Sequence, residues 1–535
     1  MPAEPRRTFI NEAVCEGCGD CSVVSNCLSV VPIETPFGRK RAIDQSSCNR
    51  DFSCVEGFCP SFVTVEGGNL RKAKPKAKEA AEGQLPLPTL PSLDQPYGIL
   101  VAGVGGTGVV TIGALLGMAA HLEGRGVSVL DMTGLAQKGG AVFSHIRLAA
   151  HPDDLTAVRL SSGGADLLLG CDMLTAAMPE ALSKATPGRT HAIVNDAETI
   201  TSGFIGNPDL QFPTSETHQT LASAVGAGAV DFLAATGLAT ALLGDAIAAN
   251  PFLLGYAWQK GLVPLRLESL RRAIELNGTA VASNLAAFDW GRRAALDPAA
   301  VAAAATPKPV EAAAETLDQL IARRVVDLTA YQNAAYAERY RRTVERVASA
   351  EKKRYGHAGE LTEAVARSFY KLMAYKDEYE VARLYTDGRF HARLHETFEG
   401  TTKLRFHLAP PLFARRDPTT GRLQKAVYGS WMLTALRVLA PLKGLRGSWA
   451  DPFGHSEERR TERRLIAEYE ETTALILRHL DTAPAYDTLV SLARLPLRLR
   501  GYGHVKEANL AAVKKEERQL MERLRQPTPL SAAAE

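Results

Sequence analysis

Beyond its first sixty residues this 535-residue chain has a single cysteine, Cys171, and nowhere does it have a long uninterrupted apolar run. Its most apolar stretch, Ala222 to Ala249, is broken by Asp231 and Asp245. What remains is shorter than the roughly 18 residues of a membrane-spanning helix, so no membrane span is expected; the stretch reads as buried helix in a globular core. Excess charge is also missing. The 62 Lys+Arg against 59 Asp+Glu give +3, without the concentrated basic surface that nucleic-acid binding requires. No secretory signal opens the chain, so a cytoplasmic protein is expected. A disulfide framework fits poorly with the size of the chain and the odd number of cysteines in its N-terminal block.

That block holds what the rest lacks. Its cysteines run Cys15-x2-Cys18-x2-Cys21-x5-Cys27, then Cys48-x5-Cys54-x4-Cys59-Pro60. Three thiols two residues apart let one loop ligate three irons of a cubane, and a distant Cys followed by Pro supplies the fourth ligand. The pattern is therefore a slightly stretched ferredoxin type, assigning Cys15, Cys18, Cys21 and Cys59 to one 4Fe-4S cluster. Cys48 and Cys54 are spaced as Cys15 and Cys21 are, with Asp51 where the middle Cys would stand. A second set then comprises Cys27, Cys48, Asp51 and Cys54, holding either a 4Fe-4S cluster with one oxygen ligand or a 3Fe-4S cluster. The competing readings are one cluster with the other thiols packed as small apolar groups, or structural zinc, whose usual signature is instead two separated C-x2-C pairs.

The length predicts roughly three or four domains, and two composition shifts divide the chain. Residues 71–96 run from a basic segment into alternating Pro and Leu, and residues 297–316 are Ala-rich with interrupting prolines. The expected organisation is an iron–sulfur module at 1–70, a linker at 71–96, an α/β domain at 97–296, a linker at 297–316, a helical domain at 317–525 and a tail at 526–535.

The middle domain opens with a strand, Ile99 to Ala102, the loop Gly103-Val104-Gly105-Gly106-Thr107-Gly108, and an apolar helix from Val109 to about His121. A second strand, Val127 to Leu130, ends in Asp131. Glycines there permit close approach of backbone to phosphate at a helix N-terminus, and Asp131 stands where a dinucleotide fold places its ribose-binding acid. Alone this predicts NAD or FAD. The polar, glycine-rich segment Met132–Gly140 then leads into a third strand, Val142 to Arg147, and makes that reading less favourable by placing Gln137, Lys138, Gly139 and Gly140 beside the first loop at the carboxyl ends of neighbouring strands, where open α/β sheets bind ligands.

In the helix-rich C-terminal region, Ser456 to Arg464 reads as a Ser-capped, solvated helix face. His391 and His395 stand four apart but lack further ligands, and are read as a structural or surface pair. Cys171 follows an apolar run and is read as a core thiol. The basic run Arg415, Arg416, Arg422, Lys425 would suit CoA phosphates or an acidic ferredoxin, or is merely a solvated loop.

The glycine loop, "GLAQKGG" and "AIELNGTAVASNLAAFDWGR" (Ala273 to Arg292) resemble the gamma module of 2-oxoacid:ferredoxin oxidoreductases. "CEGCGDC" and "CNRDFSC", with "YKLMAYKDEYEVARLYT" (Tyr370 to Thr386) and "RGYGHVKEANL" (Arg500 to Leu510), resemble the long fused indolepyruvate form. The resemblance implies a multidomain fold: a small ferredoxin-like iron–sulfur module, an α/β Rossmann-like gamma domain and a mainly α-helical C-terminal domain. It also implies decarboxylation on thiamine diphosphate with Mg²⁺, a site usually marked by Gly-Asp-Gly. No Gly-Asp-Gly occurs: Gly19-Asp20 leads into Cys21, and Gly244-Asp245 into Ala246. The expectation is the C-terminal half of such an enzyme, as a separate or truncated chain. Thiamine diphosphate, Mg²⁺ and CoA would then be supplied on or with a thiamine-binding partner, ferredoxin would accept the electrons, and an oligomer is expected. The loops Gly103–Gly108 and Gln137–Gly140 would line the shared site or hold a phosphate, with Lys138 as its cation, or be purely structural. The alternative is an independent iron–sulfur redox adaptor with a nucleotide-binding Rossmann-like domain.

Overall fold

A computed structural model of the chain describes residues 6–71, 85–134, 140–199, 203–207, 209–305, 315–400, 402–410, 414–415, 418, 423–480 and 486–525. Its N-terminal region has strands β1 (Arg6–Ile10), β2 (Val30–Thr35), β3 (Gly38–Ile43), β4 (Phe62–Glu66) and β5 (Asn69–Leu70); the middle region has β6 (Tyr97–Val104), β7 (Gly126–Thr133), β8 (Ala141–Ala149), β9 (Leu167–Gly170), β10 (His191–Asn195) and β11 (Val230–Leu233); the C-terminal region adds β12 (Phe398–Glu399), β13 (Lys403–Leu408) and β14 (Ala426–Tyr428).

The middle sheet has the order β11-β10-β9-β6-β8-β7. Strands β6, β9, β10 and β11 are parallel, while β8 is antiparallel to β6 and β7 to β8. β6 is buried on both faces, as central parallel strands are: Ile99 and Val101 enter one apolar cluster, Leu100 and Ala102 the other. The helix Val109–Leu122 covers the first face together with Ala249–Gln259 and Val281–Leu296.

This order corrects the dinucleotide expectation. A Rossmann unit would place the strand after the first helix beside β6 and parallel to it. Here β8 takes that place with the opposite direction, because its run Val142–Ile146 is buried on both faces, whereas β7 beyond Gly126 is only half-buried or exposed and suits an edge. Asp131 therefore stands exposed on the edge strand, one strand removed from β6. The Ala222–Ala249 stretch is likewise not one buried helix: it contains the end of the helix Thr214–Val225, then β11, then the helix Ala235–Leu243. Gly226 and Gly244, with φ of 99° and 79°, terminate the two helices in backbone conformations that side chains disfavour.

The C-terminal region is helical as expected, with a core around Leu328, Tyr340, Val365 and Phe369, but its three strands leave it to complete the N-terminal region. One sheet has the order β1-β4-β13-β14, and β5 pairs with β12. The registers Val63↔Phe406 and Glu66↔Lys403 join segments some 340 residues apart, and a shared core places Phe9, Val63 and Val65 with Tyr385, Phe390 and Phe406. The Pro- and Leu-rich segment after residue 84 lies along the middle region, where Leu90 and Leu93 pack and the Pro86 carbonyl accepts from Gln259 Nε2 at 2.8 Å.

Within the segment Ala273–Arg292, Gly291 has a distinct role. A Cβ there would lie 1.9 Å from Phe252 O, and one at Gly255 2.0 Å from Phe288 O: the helices Ala249–Gln259 and Val281–Leu296 touch backbone to backbone. Gly291→Ala is expected to destabilise the middle region by ~1–3 kcal/mol or more through overpacking, read as a lower midpoint in thermal melting; an unchanged midpoint would contradict this packing.

Candidate functional site

All eight cysteines are free thiols. Cys15, Cys21 and Cys59 are 5%, 7% and 8% exposed, and Cys18 is half-buried. Although Cys59 is far from the other three in sequence, the four act on one another. Burial first, then Cys59, pushes the Cys18 thiol up to about 12; burial, then Cys15, Cys18 and Cys59, holds Cys21 well above its ordinary value; burial, then Cys15, raises Cys59 to about 11. The loop carrying three of them bends at Gly17, whose φ is +69° and whose Cβ would lie 2.2 Å from Arg39 O. Gly57 seats the Cys59 segment against it, since a Cβ there would lie 2.8 Å from Cys21 Cα. Two sulfurs have polar neighbours: Gly17 N–H donates to Cys15 Sγ at 3.3 Å, and Ser61 Oγ lies 2.9 Å from Cys59 Sγ, where either group can donate.

The second set is also drawn together. Burial, then Cys27 and Cys48, pushes Cys54 up to about 12; burial raises Cys48, with Cys27 and Asp51 adding to the effect. Asp51 is exposed, and its Oδ1 accepts from Ser53 N at 3.1 Å and Ser53 Oγ at 2.8 Å. Three non-glycine residues of this region, Asn26, Arg50 and Phe52, have φ of 49°, 62° and 61°. Such backbone costs about 1–3 kcal/mol per residue and concentrates at functional sites.

Among the described residues no group of three or more His, Cys, Asp or Glu stands as it would around one metal ion. The first set nevertheless suits a cluster in its chemistry: four thiols without imidazole or carboxylate are the ligands of 4Fe-4S centres, and a cubane, with an iron at each of four corners, holds its sulfurs further apart than a single ion does.

The cover over this set comes from the C-terminal region. Tyr502 Oη donates to Val14 O at 2.6 Å, Tyr385 Oη to Pro60 O at 2.7 Å, and Lys376 Nζ to Val14 O and Cys15 O at 3.1 and 2.9 Å. Lys371 and Lys376 both pair with Glu16 at 2.7 Å. Although burial opposes its ionisation, these ammonium groups hold the Glu16 carboxyl well below the usual range. Sequence reading missed these residues. Their one signal was a concentration of Lys and Tyr in the segments Tyr370–Thr386 and Arg500–Leu510.

At the carboxyl end of β6 the glycines divide into two kinds. Gly103 is structural, since a Cβ there would lie 2.6 Å from Val109 Cγ2 and 2.9 Å from Cys171 Cβ. Gly106 is exposed with open space above it. Gly108 caps the following helix with φ +93°, and Asn250 Nδ2 fixes the turn by donating to Thr107 O at 2.8 Å. Gly105 N–H donates to Gly140 O at 2.8 Å, so the two glycine-rich segments meet although β8 lies between β6 and β7. Gln137, Lys138 and Gly139 lie outside the described residues. Two residues not foreseen border the same end of the sheet. Asp172 is 3% exposed and accepts from Thr175 N and Oγ1 at 2.8 and 2.7 Å through Oδ1; Asn195 joins Cys171 O to Thr236 Oγ1 at 3.2 and 2.8 Å.

The remaining candidates separate clearly. Cys171 is buried against Gly103, and burial, then Asp172, pushes its thiol up to about 12, as befits a core thiol. His391 and His395 share the helix Arg389–Thr397, and no metal-holding group forms there among the described residues. The basic run does not stay together: Arg415 is exposed, Arg416 and Arg422 lie outside the described residues, and Lys425 is half-buried over the Phe62 ring, donating to Val55 O and Gly57 O. Lys425 is thus a clamp on the cysteine region and not a free phosphate ligand. Ser456 does cap its helix, and Glu457, Arg460 and Arg464 are exposed, but Arg459 and Glu462 turn inward, 7% and 4% exposed and paired with Glu378 and Lys506, so the segment is solvated on one side only.

Two family profiles match the chain: "Pyruvate ferredoxin/flavodoxin oxidoreductase" over residues 98–294 and a family of unknown function (DUF6537) over residues 317–519. The indolepyruvate oxidoreductase subunit IorB of Pyrococcus horikoshii is 30% identical over 203 residues, covering 37% of this chain and 96% of that subunit; its counterpart in Methanothermobacter thermautotrophicus is 30% identical over 203 residues, covering 38% and 98%. The crystal structure of pyruvate oxidoreductase subunit PORC from Thermotoga maritima covers 37% of this chain and 97% of that one, at 18% identity and a TM-score of 0.27. The chain belongs to the 2-oxoacid:ferredoxin oxidoreductase family and carries its gamma-type region. No helix among the described residues is long and apolar enough to cross a membrane.

Cys171 is expected to resist iodoacetamide in the native protein and to react once the protein is unfolded, as peptide mass spectrometry would show. Rapid native labelling would contradict its burial.

Proposed function

We propose that this chain is the electron-transfer and gamma-region component of a thiamine diphosphate-dependent, indolepyruvate-type 2-oxoacid:ferredoxin oxidoreductase, passing electrons from oxidative decarboxylation to ferredoxin. The observation that carries the reading is the quartet of buried Cys15, Cys21 and Cys59 with half-buried Cys18 in a chain with no Gly-Asp-Gly. A 4Fe-4S cluster bound by those thiols would take up and release one electron at a time. The residues of this chain would exclude water from it with Tyr385, Tyr502 and Phe62, and balance its charge with Lys376 and Lys425. Cys27, Cys48, Cys54 and Asp51 would hold a second cluster, with three left-handed residues fixing their loops. Thiamine diphosphate, Mg²⁺ and CoA would belong to the shared site with a partner chain. The loops Gly103–Gly108 and Gln137–Gly140 would border that site at the open end of the sheet and offer backbone N–H groups to a phosphate.

Anaerobically purified protein should contain about seven or eight irons per chain with equivalent acid-labile sulfide, or about four if only the first set is filled; stoichiometric zinc without sulfide would overturn the assignment. Cys18→Ser should remove most of the cluster absorbance and lower the stability of the N-terminal region, as loss of a structural metal does. Asp51→Cys should shift the reduction potential of one centre only; an unchanged potential would return Asp51 to its turn with Ser53. The isolated chain should not decarboxylate 2-oxoacids, and adding a thiamine-binding partner should give oxoacid-dependent reduction of a viologen. Robust decarboxylation by the chain alone would refute the division of labour.

A further inference from the structure

The cations beside the first cysteine set exceed what the acids beside it match. Lys371 and Lys376 share one carboxylate, Glu16, each on its own oxygen at 2.7 Å. Lys425 donates to two carbonyls, Val55 O and Gly57 O, and pairs with no carboxylate among the described residues. Lys40 is 7% exposed, and its ammonium makes no hydrogen bond or ion pair among the described residues. Keeping such charge out of water without a counter-charge is strongly unfavourable.

Lys40 and the next residue, Arg41, belong to β3, and this strand presses on the loop that carries three of the cysteines. A Cβ at Gly17 would lie 2.2 Å from Arg39 O and 3.8 Å from Lys40 Cα. Neighbouring residues of a strand point to opposite faces, so the two side chains approach the set from different sides. Burial, then Lys376, pushes the Lys40 ammonium down to about 7, while Glu16 and Cys15 act to raise it. Arg41 is 2% exposed; burial lowers its guanidinium, and Cys21, Cys15 and Cys18 oppose that. Around the second cysteine set the charges stand closer to solvent and carry both signs: Arg50 and Asp51 are exposed, and Arg7 is half-buried. The buried positive charge at the first set is balanced if its sulfurs carry negative charge. Four thiolates and the irons they hold form an anion, and reduction adds one more negative charge, which a cation held nearby out of water favours.

We propose that Lys40 and Arg41 are counter-charges of the first iron–sulfur centre and hold its reduction potential up. The inference rests on the iron–sulfur reading above and extends it to residues that ligate nothing. Arg41 supplies a guanidinium that stays protonated, and Lys40 adds the charge that Glu16, shared by Lys371 and Lys376, leaves unmatched. Both act on the energy of the added electron and not on the attachment of the irons.

The test is a redox titration of the full chain, purified anaerobically and followed by EPR, the first centre being the signal that Cys18→Ser removes. Arg41→Met should lower its midpoint potential by at least ~59 mV, a tenfold fall in the ratio of reduced to oxidised centre at fixed potential. Lys40→Met should move the midpoint in the same direction. Arg41→Lys, which keeps the charge in a different shape, should stay near the wild-type potential. An unmoved midpoint in either Met variant would overturn the proposal, and so would a fall in Arg41→Lys as large as in Arg41→Met, which would make the effect one of packing. If Arg41→Met does not retain the centre, Lys40→Met decides by the same criterion. Wild-type protein without iron and acid-labile sulfide would sink the iron–sulfur reading and this inference together, whereas a centre that is present but keeps its potential in these variants sinks the inference alone.

Discussion

The pairing of β4 with β13 is the constraint on which the N-terminal region depends. Seven buried or half-buried thiols in sixty residues cannot be kept dry by so short a segment, because a small module has too little apolar surface to bury. The chain resolves this by returning its C-terminal region to the same sheet. Phe406 and Tyr385 then enter the core beside Val63, and the carbonyls of Val14, Cys15 and Pro60 gain donors from Lys376, Tyr385 and Tyr502. The cysteine loops satisfy the remaining requirement locally, through glycine where backbones press together and through strained residues where they do not.

In the middle region the corresponding constraint is the direction of β8. An antiparallel strand beside β6 sends the chain back past the glycine turn, so that Gly140 O meets Gly105 N–H. In a parallel arrangement that hydrogen bond would have no reason to exist, because the connection would cross to the far end of the sheet. The result is an open end formed from one glycine turn, Gly140 and the buried polar pair Asp172 and Asn195, with Asp131 away on the edge strand.

Local sequence made visible what depends on local spacing. The triplet Cys15, Cys18, Cys21 is legible as one loop because two-residue intervals keep its thiols together; the glycine turn and the apolar helix after it are legible for similar reasons, as is the Ser456 cap. Neighbour relations were not. The alternation in Val127–Leu130 identifies a strand without saying that another will slip between it and β6. The charges of Glu457–Arg464 suggest solvent, but Arg459 is buried because Glu378, some eighty positions earlier, faces it. Lys425 looks like one more residue of a basic loop until Val55, Gly57 and Phe62 are brought beneath it.

The distance between β4 and β13 also sets a timetable. A ribosome adds roughly 5–20 residues per second, so the N-terminal thiols emerge about 20–70 s before the strand that pairs with β4. Throughout that interval they are thiols without cover, open to oxygen and to any soft metal. A cluster of the kind proposed for these loops would be inserted either during that window, while the loops are accessible, or after the closing strand has covered them.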